Sequence, residues 1–171
     1  EYGGVAYGKY VVFAQNSPYE LKIYGTNAEE YFSLWRSYLA LDTDYEVINS
    51  HVIAVSDSHH MSSAVEYGSG IRILRQEPWE CVCSFIISQN NNIPRIKKII
   101  ESLCRLYGEK IEFDNKIFYG FPTPEKLADL ELNDLAEIKA GFRDKYILDA
   151  ARKVASGEVN LKKKKKMGNI D

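Results

Sequence analysis

The sequence predicts an α+β chain: the remnant of an antiparallel sheet domain over residues 1–25, then a mostly helical segment over residues 26–171. Three observations predict it. β-Branched and aromatic residues crowd residues 5–24 on both sides of an Asn16-Ser17-Pro18 turn. From Thr26 onward apolar residues recur at helical spacing. Pro78, Pro94 and Pro124 each stand where a helix begins, a position that tolerates proline because its N–H would have no partner there.

Val5, Tyr7, Tyr10, Val12 and Phe13 form the first strand region, and Leu21, Ile23 and Tyr24 the second. Two short strands are not stable alone, so they require a partner surface. Thr26-x-x-Glu29 has the form of a capping box, with Tyr31, Leu34, Trp35, Tyr38 and Leu39 on one face of the helix behind it. Residues 51–70 predict two short helices joined by Ser56-Asp57-Ser58. The helix opened by Pro78 carries Trp79, Val82, Phe85 and Ile86 and is apolar nearly all round, which predicts a central buried helix. Pro94 opens a helix with Ile96, Ile99, Ile100, Leu103 and Tyr107 inward and Gly108 at its end. Thr123-Pro124-Glu125 starts another, and a short helix from Asn133 to Lys139 stops at Gly141. The last runs from Arg143 to Ala155, burying Tyr146, Ile147, Ala150, Ala151 and Val154. No internal repeat is visible.

An apolar content of 45% supports a packed core, and 12% aromatic residues argue against disorder. No apolar run approaches a membrane span, and Glu1-Tyr2-Gly3-Gly4 does not open a signal peptide, so no membrane association is expected. Cys81, Cys83 and Cys104 read as small buried hydrophobes of a reducing compartment, since Cys81-x-Cys83 lacks zinc-ligand spacing. His59-His60 reads as an exposed pair. No metal or organic cofactor is implied. Charge is divided: residues 1–70 carry 3 basic and 9 acidic side chains, whereas residues 139–166 carry 10 basic and 3 acidic. The basic end suits a local phosphate-binding face, although the run Lys162 to Lys166 also reads as a solvated loop.

The most informative segment is Gln89-Asn90-Asn91-Asn92-Ile93-Pro94-Arg95-Ile96, a cluster of amides and one guanidinium in a tight turn between two helices. A core gains nothing from such a cluster, because each buried amide needs partners. A surface that reads a polar molecule gains a great deal. Asn90 or Asn92 also suits the ordinary task of capping the following helix, and both readings stand on the sequence.

Arg72-Ile73-Leu74-Arg75-Gln76-Glu77-Pro78-Trp79-Glu80-Cys81, Ser84-Phe85-Ile86, Asn90-Asn91-Asn92-Ile93-x-Arg95-Ile96, Gly120-Phe121-Pro122 and Gly141-Phe142-Arg143-x-Lys145-Tyr146 follow one another in the order found in a known family. They resemble the 8-oxoguanine DNA glycosylases of the helix-hairpin-helix superfamily, over about residues 4–157. The resemblance implies base-excision repair of double-stranded DNA carrying oxidised guanine opposite cytosine, by a monomer in the cytoplasm near the nucleoid of a prokaryote or in the nucleus of a eukaryote. Such an enzyme rotates a nucleotide out of the duplex and fills the hole. The abandoned cytosine presents adjacent acceptors, which a guanidinium complements with donors alone. By the resemblance, Arg95 and Arg143 read that edge, Asn90 enters the vacated space, Asn91 and Asn92 complete the DNA-binding turn, and Phe142, commonly tyrosine in relatives, is the apolar wedge. Arg72 and Arg75 are expected to make structural contacts.

The family's nucleophilic lysine and its aspartate lie in a later hairpin that has no match up to Asp171. No catalytic residue is therefore assigned, and this chain alone is expected to be inactive; N-glycosidic cleavage and β-elimination belong to the complete protein. Two other readings stay open: an alkylated-base glycosylase of the same superfamily, and a non-catalytic module that binds kinked duplexes.

Overall fold

A computed structural model describes residues 1–161 except Pro18 and Asp57. The lysine run 162–166 and residues 167–171 lie outside the described residues. The elements are strands β1 (Tyr2–Ala6), β2 (Lys9–Ser17) and β3 (Glu20–Gly25), helices α1 (Phe32–Tyr38), α2 (Tyr45–Val55), α3 (Met61–Tyr67), α4 (Pro78–Ser88) and α5 (Ile93–Tyr107), a hairpin β4 (Lys110–Phe113) and β5 (Lys116–Tyr119), and helices α6 (Pro124–Ala128) and α7 (Asp144–Ala155). Two short 3₁₀ segments, Asp134–Ile138 and Gly141–Arg143, precede α7. The α+β class holds. No helix among the described residues is long and apolar enough to cross a membrane.

Packing divides the chain otherwise than into two consecutive segments at residue 25: residues 1–26 with 76–171 form one unit, and residues 27–75 the other. The strands have their partner surface in the first unit. β1, β2 and β3 form an antiparallel sheet in that order, and Tyr10 on β2 stacks on Phe118 at 4.0 Å and leans on Phe113 at 5.0 Å. Both belong to the β4–β5 hairpin, which the sequence reading passed over. Its turn is Asp114-Asn115, with φ of +50° and +57°. That left-handed pair is the two-residue turn whose twist suits a hairpin.

The core of the first unit joins Trp79, Cys83 and Ile87 of α4, Ile99 and Leu103 of α5, Leu127 of α6, Leu135, Ile138 and Ala140 of the following loop, and Ile147, Leu148 and Ala151 of α7. Each fully buried aliphatic side chain contributes about 1.5–3 kcal/mol. The inward stripe of α5 lies as its periodicity predicts. That of α4 does not: Trp79, Cys83 and Ile87 form one buried row, but Phe85 is 69% exposed. An i, i+4 row covers only one side of a helix, so apolar composition alone overstates the burial. Tyr146, predicted inward, is 49% exposed for the same reason. Gly108 is required where α5 ends, since a Cβ there would lie 1.9 Å from the Gly120 carbonyl oxygen. The Trp79 indole N–H donates to the Pro122 carbonyl at 3.0 Å and fixes the start of α4 on the Gly120-Phe121-Pro122 loop.

In residues 27–75 the capping box does not form. Asn27 takes φ of +48°, its carboxamide donates to Glu30 at 3.2 Å, and α1 begins only at Phe32. α2 begins at Tyr45, earlier than the sequence reading has it, because the Asp44 carboxylate accepts from the backbone N–H of Glu46 and Val47 at 3.0 and 3.1 Å. Arg72 and Arg75 serve structure: Arg72 donates to the Ala40 carbonyl and Arg75 to the Thr43 hydroxyl, both at 2.7 Å.

Candidate nucleic-acid interface

The turn between α4 and α5 is built almost wholly from its own amides. The Ser88 hydroxyl and the Gln89 carboxamide both donate to the Phe85 carbonyl, at 2.7 and 3.2 Å, and close α4. Asn90 then reverses the chain with φ of +47°, a left-handed conformation that asparagine tolerates better than most residues. Asn91 donates back to the Ile87 carbonyl at 3.0 Å and accepts from the Asn92 N–H at 3.0 Å. The Asn92 carboxamide oxygen accepts from the Arg95 N–H at 3.0 Å, capping α5. Of the three asparagines, two are thus spent on the turn. Asn90 is exposed, and among the described residues its carboxamide makes no hydrogen bond; its backbone carbonyl does.

The second half of the site is the loop from Lys139 to Arg143. Lys139 ends the 3₁₀ segment in a left-handed conformation, φ +57°, and Gly141 follows at φ +68°. Arg95 sends an Nη2–H to the Lys139 carbonyl at 3.4 Å. Arg143 sends an Nη1–H to the Ala140 carbonyl at 3.1 Å. The two guanidinium groups therefore meet at neighbouring residues of one loop, although Arg95 and Arg143 stand 48 positions apart in sequence. Phe142 projects beside them, 56% exposed, with the Arg143 guanidinium 4.4 Å from its ring centroid and the Tyr146 ring edge-on at 6.3 Å.

Arg143 departs from the expected geometry. It is 3% exposed; its Nε–H donates to the Gln89 carbonyl at 3.0 Å, and Nη2 donates to both the Gln89 and Asn90 carbonyls, the latter at 2.9 Å. With five N–H donors in a guanidinium, one Nη1–H is left over. Its neighbour Asp144 has a buried carboxylate oxygen without a hydrogen-bond partner, and burial pushes this carboxyl above the ordinary aspartate value. The sequence carried no signal for Gln89, Lys139 and Ala140 as parts of the site, because they act through backbone carbonyls that every residue has.

A cleft of about 940 Å³ runs on the other side of Arg95, past Glu77, Glu80, Glu101 and Glu137. Its carboxylates oppose a phosphate there, and burial, followed by the nearby Glu77, raises the Glu80 carboxyl above its ordinary value. Phe142, Asn90 and Arg95 are the exposed parts of the amide turn and its facing loop. His59 and His60 are exposed with rings 5.6 Å apart, and no group of metal-binding side chains exists among the described residues.

The family model described as the 8-oxoguanine DNA glycosylase N-terminal domain matches residues 1–82, and that described as HhH-GPD superfamily base excision DNA repair protein matches residues 83–170. The chain belongs to the 8-oxoguanine DNA glycosylase family of the HhH-GPD superfamily. The N-glycosylase/DNA lyase of Saccharomyces cerevisiae is 39% identical over 128 residues, covering 72% of this chain and 33% of that protein. MBOgg1, solved in complex with a low-affinity DNA ligand, is 44% identical with a TM-score of 0.82, the match covering 93% of this chain and 54% of that one. The 8-oxoguanine glycosylase/lyase of Clostridium acetobutylicum, solved with double-stranded DNA containing cytosine opposite 8-oxoG, is 40% identical with a TM-score of 0.80, over 93% of this chain and 53% of that one. The chain spans about half the length of these solved relatives and a third of the yeast protein.

Proposed function

We propose that this chain is the part of a bifunctional DNA glycosylase and abasic-site lyase that recognises the cytosine left behind when an 8-oxoguanine is rotated out of duplex DNA. The observation that carries this reading is the convergence of Asn90, Phe142 and the Arg95 and Arg143 guanidinium groups at two turns joined by hydrogen bonds. Asn90 is free to enter the vacated stack, and Phe142 is exposed to wedge the adjacent step. Arg95 has a side chain at the surface whose 3.4 Å bond to a carbonyl is weak enough to exchange for a cytosine acceptor. The complex of the Clostridium relative with cytosine-containing duplex supports the same substrate. Base release and strand cleavage in the complete protein would use the lysine and aspartate that the family resemblance implies, neither of which has a match in residues 1–171.

Binding is therefore the test for these residues. Duplexes carrying 8-oxoguanine or an abasic analogue opposite each of the four bases are titrated with the chain. Cytosine is expected to be preferred by about tenfold, the worth of one or two well-made polar base contacts. Equal affinity for all four duplexes overturns the proposal and favours a module that binds deformed DNA without reading it.

A further inference from the structure

Arg143 is the single charged residue in the buried set, at 3% exposure among the described residues. Its side chain has no carboxylate partner there; carbonyl oxygens of Gln89, Asn90 and Ala140 take its donors instead. Bonds from a charged donor are stronger than those between neutral groups. Two of the three acceptors lie in the amide turn, 53 and 54 residues away in sequence, and one of them is Asn90 itself.

Asn90 needs such a hold. Its φ of +47° lies in a region that costs a residue with a side chain free energy relative to the extended or helical regions. The carboxamides of Asn91 and Asn92 brace their own stretch of the turn, but no hydrogen bond from the Asn90 side chain does so for Asn90 among the described residues. The carbonyls on each side of the Asn90 N–Cα–C unit, those of Gln89 and Asn90, are both gripped by one guanidinium. Fixing these two peptide planes fixes φ and ψ of the residue between them, and with them the direction of its carboxamide.

We propose that Arg143 is a positioning residue for Asn90, holding it in the left-handed conformation that presents its carboxamide to DNA, and that the choice of opposite base is read by Arg95. This rests on the function proposed above and divides its labour. Arg95 is exposed, with one long bond to exchange; Arg143 would have to give up several short ones.

The experiment uses the 171-residue chain and duplexes with a tetrahydrofuran abasic analogue opposite cytosine, thymine, adenine or guanine, read by fluorescence anisotropy. Arg95→Ala is expected to abolish the preference for cytosine. Arg143→Ala is expected to weaken all four duplexes about tenfold while leaving their ratios within about twofold, the usual tolerance for independent effects. Asn90→Gly keeps the left-handed backbone and removes the carboxamide. In that background Arg143→Ala should cost less than about twofold more, because nothing remains to be presented. Arg143→Lys, which keeps the charge but lacks the fork, takes the place of the alanine variant should circular dichroism show the latter unfolded.

Loss of cytosine preference in the Arg143 variants, as in Arg95→Ala, overturns the proposal. So does multiplication of the Asn90→Gly and Arg143→Ala losses in the double variant. A wild-type chain with no base preference defeats the function proposed above; the Asn90–Arg143 coupling then decides the positioning role by itself.

Discussion

Two turns in this chain use asparagine in the same left-handed conformation and depend on different things for it. Asp114-Asn115 closes the β4–β5 hairpin with φ of +50° and +57°, and the four cross-strand pairs Lys110–Tyr119 to Phe113–Lys116 flank it at once. Everything that turn requires lies within ten residues. Asn90, at φ +47°, joins α4 to α5, and the group that grips it arrives from Arg143. A left-handed residue enforced by its neighbours is local geometry; one enforced from across the fold is a place where tertiary structure has been used to set a side chain.

The largest break in the comparison should come from the core beneath the interhelical turn. Ile87 is wholly buried, and its carbonyl accepts from Asn91. Ile87→Ala should cost about 2–5 kcal/mol in urea unfolding, and hydrogen exchange should quicken at Asn91 and Asn92 before it does in β4 and β5. Uniform exchange over both turns would show that they share one support. Next comes Asn115→Ala, which leaves the left-handed residue without the local tolerance of asparagine. A loss of about 1 kcal/mol is expected, with Asn115→Gly at or above wild type, and DNA binding unchanged in both.

Asn92→Ala sharpens the contrast from the other side, since Asn92 is the local component of the interhelical turn. Removing its cap on α5 should cost about 1 kcal/mol and weaken binding through Arg95, whose N–H it holds at 3.0 Å. Unaltered melting with the cap gone would mean that tertiary contacts alone hold the start of α5.

The smallest effect concerns Cys104, on the helix that connects the two turns. Burial, then Glu80, pushes its thiol up to about 12. Folding thus retains a proton that the unfolded thiol releases above about pH 8.5. The associated stability is fully present below that pH and falls away as pH rises toward the folded value. Urea midpoints at pH 7.5 and 9.5 should differ by about 1 kcal/mol more in wild type than in Cys104→Ala, and Ellman's reagent should modify Cys104 slowly until urea is added.

Much of the fold was legible because it follows from short-range rules. Asn92, Thr123 and the prolines mark helix starts that the structure keeps. The inward stripe of α5 is legible from a period of 3.6. Three failures have equally local causes. The β4–β5 hairpin carried a readable signal, Asp114-Asn115 between apolar alternations, that was passed over. Thr26-x-x-Glu29 matched a capping pattern, but Asn27 turned left-handed and the helix began later. Phe85 and Tyr146 were counted inward because composition says how apolar a helix is and not which side of it meets a neighbour.

By itself, the sequence determined the class of fold, the helix starts and the residue types of the site, since patterning, caps and turn chemistry act over a few positions and need no knowledge of the rest. Only the tertiary structure decided that Arg95 and Arg143 reach one loop, that Asn90 alone of the three asparagines keeps a free carboxamide, and that Arg143 is turned inward. Those outcomes depend on which backbone carbonyls come within about 3 Å of a guanidinium, and every residue in a sequence offers the same carbonyl.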